Sequence, residues 1–225
     1  MQLFFIIPVM DERDTLQELT EGILGHTHAH EVQVLYINDG STDGSGEELD
    51  RIVEEHSNVQ VIHFLENRGK SAALVEALAI AKGDIVFMMD SDLQDDPKEI
   101  PNFLSKLSEG FDLVCGWKVV RHDPVDKILP SKVYNGIVTR LFDLDLHDIN
   151  CGFKAMTLEV AQSLELKHDY HRLIPVLAKL KGFRIAEIPV EHHERRYGHS
   201  KYGISRIWHG LRDVFRVWHE SKRHP

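Results

Sequence analysis

Leu3-Phe4-Phe5-Ile6-Ile7 is an unbroken apolar run that stops at Pro8. A short continuous run of this kind suits a strand buried on both faces. Outward from it the pattern alternates. Residues 12–25 form a polar helical stretch, 32–37 a second strand and 43–56 a helix. Residues 59–64 make a third strand, 70–82 a helix rich in Ala and Leu, and 85–89 a fourth strand. A helix starting at a proline follows over 97–109, then a fifth strand over 113–115. Strands alternating with helices of this length predict an α/β chain with a mostly parallel sheet flanked by helices. Ligands of such sheets sit beyond the carboxyl ends of the strands, where the polar motifs of this chain fall. After Gly116 the pattern changes. Residues 118–130 are charged, contain two prolines and read as a loop; 131–142 read as a helix and 183–190 as a strand. Residues 194–203 read as a basic loop, and 204–218 as a final helix.

With 225 residues, 42% of them hydrophobic, the chain suits one globular domain with a sizeable core. The division expected is a main domain over 1–203 and an amphipathic C-terminal helix and tail over 204–225. A net charge of -10 argues against general nucleic-acid binding, which leaves a basic footprint. From Arg195 onward, however, Arg, Lys and His accumulate, which suggests a local anionic partner. Cys115 and Cys151 lack the spacing of a zinc site or a disulfide framework and read as reduced thiols of a cytosolic protein. Met1 leads directly into the first strand, so no signal peptide is expected. No stretch approaches the ~18 apolar residues of a membrane span, so the chain is expected to lie against a bilayer at most.

Four strand ends carry chemistry. The fourth strand runs into Met88-Met89-Asp90-Ser91-Asp92-Leu93-Gln94. Alternation along an extended chain puts Asp90, Asp92 and Gln94 on one side, and three oxygen ligands suit a hard cation such as Mg²⁺ or Mn²⁺. The same residues also fit an acidic turn capping the helix that starts at Pro97. After the second strand comes Asn38-Asp39-Gly40-Ser41-Thr42-Asp43. Asp39 could accept hydrogen bonds from a base or ribose, Gly40 permits a tight turn, and Thr42 or Asp43 can cap a helix. After the first strand, Pro8-Val9-Met10-Asp11-Glu12 offers carboxylates to a nucleobase or to a helix N-terminus. The fourth segment, Glu66-Asn67-Arg68-Gly69-Lys70-Ser71-Ala72-Ala73, places Lys70 to meet a phosphate. It lacks the second glycine of a nucleoside-triphosphatase phosphate loop.

In this order and at these strand ends, the four segments resemble the family 2 glycosyltransferases of GT-A fold over nearly the whole chain. The narrower resemblance is to the dolichol- or polyprenyl-phosphate sugar synthases. It rests on Asp90 to Pro97, Gly116-Trp117-Lys118, Pro130-Ser131-Lys132, His147 to Lys154, His171 to Pro175 and Arg195 to Gly203. The resemblance implies a Rossmann-like GT-A domain. Asp90, Asp92 and Gln94 would bind the metal and the donor pyrophosphate, and Pro8, Asp11, Glu12, Asp39 and Lys70 the nucleotide-sugar donor. Where the family has two aspartates this chain has Asn38-Asp39, so base or ribose contacts would differ. The late basic residues Arg195, Arg196 and Lys201, with Ser200, would meet phosphates; Lys118, Arg121, Lys132, His171 and Arg172 join them on the acceptor side.

The reaction so implied is inverting transfer of a hexose from a UDP- or GDP-sugar to a polyprenyl phosphate. A nucleoside diphosphate leaves only if its developing charge is neutralised, which a metal and Arg or Lys can do. A lipid phosphate, with a second ionisation near pH ~6, needs no general base. A sugar hydroxyl does need one, and Asp148 is then the candidate. Two other readings stay open: a same-fold transferase acting on a sugar or glycolipid hydroxyl, and a non-catalytic nucleotide-sugar-binding regulator.

Ile204, Ile207, Trp208, Leu211, Val214, Phe215 and Trp218 form one apolar stripe, with Arg206, Arg212 and Arg216 off it. That suits a helix in a membrane interface at the cytoplasmic face, as a peripheral contact or through a membrane-protein partner; it equally suits a helix docked on the core. Among the 15 histidines, His26, His28 and His30 alternate without a Cys or carboxylate at a metal-site spacing, while His192-His193 reads as a strand end beside the basic loop.

Overall fold

The computed structural model describes residues 1–119, 125–167, 170–196 and 206–222. Strand β1 (Gln2–Val9) is followed by a 3-10 turn (Arg13–Thr15) and α1 (Leu16–His26). Next come β2 (Glu31–Asn38), α2 (Ser45–Glu55), β3 (Val59–His63), α3 (Lys70–Ala79) and β4 (Ile85–Met88). A 3-10 turn (Pro97–Glu99) leads into α4 (Ile100–Ser108) and β5 (Leu113–Lys118). The later part holds α5 (Val125–Phe142), β6 (Lys154–Thr157), α6 (Leu158–Ser163), a 3-10 turn (Tyr170–Leu173), α7 (Ile174–Leu180), β7 (Ile185–Val190) and α8 (Arg206–Ser221).

The strands form one sheet in the order β3-β2-β1-β4-β6-β5-β7. All neighbours are parallel except β6, which runs antiparallel to both β4 and β5. The apolar run of β1 is buried throughout, and its alternate residues serve opposite faces. Phe4 and Ile6 join Leu35, Val86 and Leu113 under α3, α5, α7 and α8. Leu3, Phe5 and Ile7 join Tyr36, Phe87 and Val114 under α1, α2 and α4. Phe5 stacks on Phe87 with ring centroids 4.7 Å apart. A central strand apolar at every position is thus what a sheet covered on both sides demands.

From β1 the chain moves outward through β2 and β3, then returns to place β4 on the other side of β1. That reversal opens a crevice beyond the carboxyl ends of β1 and β4. Ser91 Oγ donates to Pro8 O across it at 3.1 Å, and Asp39 N donates to Val9 O at 2.8 Å. Three of the four polar turns are therefore tied into one rim.

The later half differs from expectation in three places. The stretch 118–130 is not a loop throughout: β5 runs on to Lys118, and α5 begins at Val125 and carries Pro130 within it. A proline there removes one N–H donor but leaves the rest of an 18-residue helix intact. The wedge β6 was not anticipated, because four residues opening on a lysine give no period to read. Lys154 is nonetheless buried, and its ammonium donates to Cys151 O. The final helix extends to Ser221, while Ile204 and the side chains of Arg206, Ile207 and Trp208 lie outside the described part. On the rest of α8, Val214 and Val217 are buried in the core, Leu211 and Trp218 pack beside them, and Phe215 faces outward. Arg216 lies 3.5 Å from Asp213. No helix among the described residues is long and apolar enough to cross a membrane. Cys115 and Cys151 are free and buried, and burial pushes both thiols up, Cys115 to about 12.

Candidate active site

The turn after β1 is built on Asp11, a non-glycine residue at φ 47°. Its Oδ1 accepts from Thr42 N at 2.7 Å, and its own N–H donates to Ser41 Oγ at 2.9 Å. Asp11 therefore fastens the first turn to the second and does not line the cleft, whereas Pro8, Met10 and Glu12 do. In the second turn Gly40 sits at φ +72°, where a Cβ would lie 2.6 Å from the backbone of Glu66 and Asn67. Only glycine allows that approach. It lets the buried Asp39 carboxylate accept from the N–H groups of Arg68 at 2.7 Å and Gly69 at 2.9 Å, just ahead of α3. Asn38 turns away: its Oδ1 accepts from Ser41 N and its Nδ2 meets His63 Nδ1 at 3.0 Å. The residue replacing the family's first aspartate is thus spent on the turn.

Beyond β4, Asp90 and Asp92 face the same cleft and each meets a cation. Lys70, the first residue of α3, pairs with Asp90. The Arg195 guanidinium bridges two carboxylates, with Nη1 2.6 Å from Glu12 Oε1 and Nη2 on Asp92. The two aspartates are tuned apart. Burial would raise Asp90, but the adjacent Lys70 ammonium, aided by Lys118 and Lys154, holds it down at about 2. Burial and the nearby charges of Asp90 and Asp95 push Asp92 up to about 6, against the pull of Arg195. Gly152, next to β6, leaves room for the Asp90 carboxylate, since a Cβ there would overlap it. The cleft, about 260 Å³, is completed by Val9, Asn67, Gly69 and Ser91.

Pro8, Glu12, Asp39, Lys70, Asp90, Asp92 and Arg195 are thus brought together. Gln94 is not among the lining residues. The strand ends at Met88 and Leu93 adopts φ 57°, so the alternation expected of an extended chain breaks before residue 94. Its amide donates instead to His193 O at 3.3 Å. Lys118 lies one layer beneath, 3.4 Å from the buried Asp95; burial pulls the lysine's pKa down, but Asp95 together with Asp90, Asp148 and Cys151 raises it. Asp148 is 1% exposed and accepts from Asn150 N at 3.2 Å. His171 meets Ser71 Oγ at 2.7 Å, one residue from Lys70. Arg172 lies near Tyr134 and Gly210, Lys132 is exposed on α5, and Arg196 pairs with Glu18 at 2.9 Å. Arg121, Ser200 and Lys201 lie outside the described residues.

Sequence reasoning gave no site role to Met10, Asn67 or Gly152, and read Gly69 only as allowing close backbone approach. Met10, Asn67 and Gly69 line the cleft and Gly152 backs Asp90, places that residue type alone does not announce. A separate cluster of Asp96, Glu191 and His193 also lies outside the cleft lining, with Lys98 2.5 Å from Glu191 and 3.1 Å from Asp96. His26 and His28 meet the carbonyls of Gly22 and Gly25 at the end of α1.

A mostly parallel sheet with an acidic, cation-paired cleft at its switch point is a GT-A-like architecture. Crystal structures of glucosyl-3-phosphoglycerate synthase from Mycobacterium tuberculosis share this fold. One, with phosphoglyceric acid, gives a TM-score of 0.75 at 19% identity over 100% of this chain and 81% of that one. Another, with Mn²⁺, uridine diphosphate and phosphoglyceric acid, gives 0.73 at 19% identity over 98% and 78%. The chain belongs to glycosyl transferase family 2, whose model matches residues 4–164. It is 31% identical over 224 residues to a dodecaprenyl-phosphate galacturonate synthase of Rhizobium johnstonii, covering 96% of this chain and 66% of the relative. It is 32% identical over 213 residues to an undecaprenyl-phosphate 4-deoxy-4-formamido-L-arabinose transferase of Klebsiella pneumoniae, covering 93% and 65%. The chain thus spans just under two thirds of the length of these relatives.

Proposed function

We propose that the protein is an inverting glycosyltransferase that moves a hexose from a nucleoside-diphosphate sugar to a polyprenyl phosphate at the cytoplasmic face of a membrane. The observation that carries the reading is the cleft at the β1–β4 switch point, where Asp90 and Asp92 stand among Glu12, Asp39, Lys70 and Arg195. The prenyl-phosphate relatives support the acceptor class.

The donor set fits a hard divalent cation. Burial, with the nearby charges of Asp90 and Asp95, pushes the Asp92 carboxyl up to about 6, and a cation of Mg²⁺ or Mn²⁺ type would favour its charged form through oxygen ligands. Asp90 and Asp92 would hold it, with Gln94 at the margin. Such an ion supplies positive charge against the departing diphosphate. The chain's own groups do the rest. Asp39, Pro8 and Met10 face the nucleoside, and Lys70 and Arg195 take up leaving-group charge. The acceptor phosphate, with a second ionisation near pH ~6, attacks the anomeric carbon without a base. Asp148, closed off and hydrogen-bonded to the backbone, is poorly placed to serve a hydroxyl acceptor, which favours the phosphate. Residues 1–203 would form the catalytic domain, with residues 204–225 bearing on the membrane or on a membrane-protein partner.

Transfer from a panel of labelled UDP- and GDP-sugars to detergent-solubilised polyprenyl phosphate tests this reading. Label should move to the lipid in the presence of Mn²⁺ or Mg²⁺, and Asp92→Ala should lower turnover by about 10³-fold. Transfer to free sugars alone, or undiminished turnover by Asp92→Ala, refutes it.

A further inference from the structure

Both oxygens of the Asp92 carboxylate are already engaged. Oδ1 accepts from Gln94 N at 3.1 Å, and Oδ2 accepts from Arg195 Nη2. A divalent cation that takes Asp92 Oδ2 therefore meets a guanidinium of like charge already on that oxygen. Arg195 is not held by Asp92 alone, because its other edge stays on Glu12 at 2.6 Å. Glu12 is itself 8% exposed, and its second oxygen, Oε2, is buried without a hydrogen-bond partner. The anchor thus has acceptor capacity left for a guanidinium that shifts toward it.

The backbone ahead of Arg195 is fixed to the segment that carries Asp92. His193 N donates to Gln94 O at 2.9 Å, and Gln94 Nε2 donates to His193 O at 3.3 Å. The His193 ring meets Asp96 Oδ2 at 2.9 Å, and His192 pairs with Asp95 as an isolated bridge. From this fixed backbone the Arg195 side chain, 21% exposed, reaches into the cleft.

We infer that Arg195 is an exchangeable counter-ion: it occupies Asp92 until metal and nucleoside diphosphate arrive together, then passes to a phosphate oxygen while remaining on Glu12. The inference rests on the proposed function and adds to it an order of events. Metal alone strips Arg195 of one partner and gives nothing back. Metal with diphosphate gives the guanidinium a new anion. The two ligands therefore bind synergistically, and by reciprocity each raises the affinity of the other by the same factor. Gln94 acts as a positioning residue here, because its amide holds the loop from which Arg195 reaches.

The test is Mn²⁺ binding to the full chain, read by electron paramagnetic resonance of free Mn²⁺ with and without UDP or GDP, and so independent of turnover. Arg195→Gln should bind Mn²⁺ alone about tenfold more tightly than wild type, as expected for release of a charged, partly buried hydrogen bond. The enhancement of Mn²⁺ affinity by nucleotide should shrink in the same variant. Arg195→Lys, which keeps a charge but cannot fork across two carboxylates, guards against loss of fold and should fall between the two. Unchanged or weaker Mn²⁺ binding by both variants without nucleotide overturns the exchange while leaving the proposed function standing. A wild-type protein that binds Mn²⁺ but neither nucleotide overturns both.

Discussion

Two carboxylates two residues apart do different work because their surroundings differ. Asp90 has a lysine on it and stays charged; Asp92 sits deeper, among like charges, and resists ionisation. For Asp92 the folded pKa of about 6 lies above the ~3.9 of an unfolded aspartate, so the folded state binds more protons between those values. Its contribution to stability is therefore complete below the unfolded value and is lost as pH rises through about 6. Asp92→Asn, which stays neutral, should melt higher than wild type at pH 7, and the gap should close toward pH 4. A variant that melts lower at pH 7 would mean that the Arg195 pair outweighs the crowding. Gly152 makes a second test at this scale. Gly152→Ala should displace the Asp90 carboxylate and weaken Mn²⁺ binding at least about tenfold, with far-UV circular dichroism unchanged. Full Mn²⁺ affinity in that variant would show that the cradle yields. The carboxylates were legible because an acidic cluster ending a buried strand stands out in any sequence. Gly152 was not, since its importance lies in an atom it lacks and in a neighbour 62 positions away.

Among elements, legibility followed periodicity. The apolar runs of β1 and β2 and the Ala- and Leu-rich α3 fell close to where their patterns put them. Errors gathered where a rule was stretched: two prolines and several charges hid the start of α5, and strand alternation was carried past the end of β4 to Gln94. The brevity of β6 left nothing to count. The C-terminal helix was legible as amphipathic but not in its direction, because a moment gives a stripe and not its partner. Its described part settles the direction for Val214, which is fully buried, and Phe215, which is 56% exposed. Val214→Ala should cost about 2 kcal/mol in urea denaturation, whereas Phe215→Ala should stay within about 0.5 kcal/mol. Equal costs at the two positions would contradict this docking.

Across the whole molecule, charge is partitioned. The body is acidic and the net charge is -10, yet the cleft beyond β1 and β4 is lined by Lys70 and Arg195 as well as carboxylates. Under the proposed function that balance would let a negatively charged chain receive a diphosphate, with Lys70 and Arg195 stored on Asp90 and Asp92. The acidic total read from the sequence argued against general nucleic-acid binding but gave no sign of this internal pairing, which in the case of Arg195 and Asp92 joins residues 103 positions apart. The antiparallel strand β6 has a further consequence. It lies between β4 and β5, both of which precede it in the chain. A ribosome that has delivered every residue through Lys118 has released two strands that cannot meet edge to edge in the native order. The gap between them closes only when Lys154 to Thr157 emerge, and the same passage delivers Gly152 to Asp90. The cradle around Asp90 is thus completed only after Thr157 has left the exit tunnel.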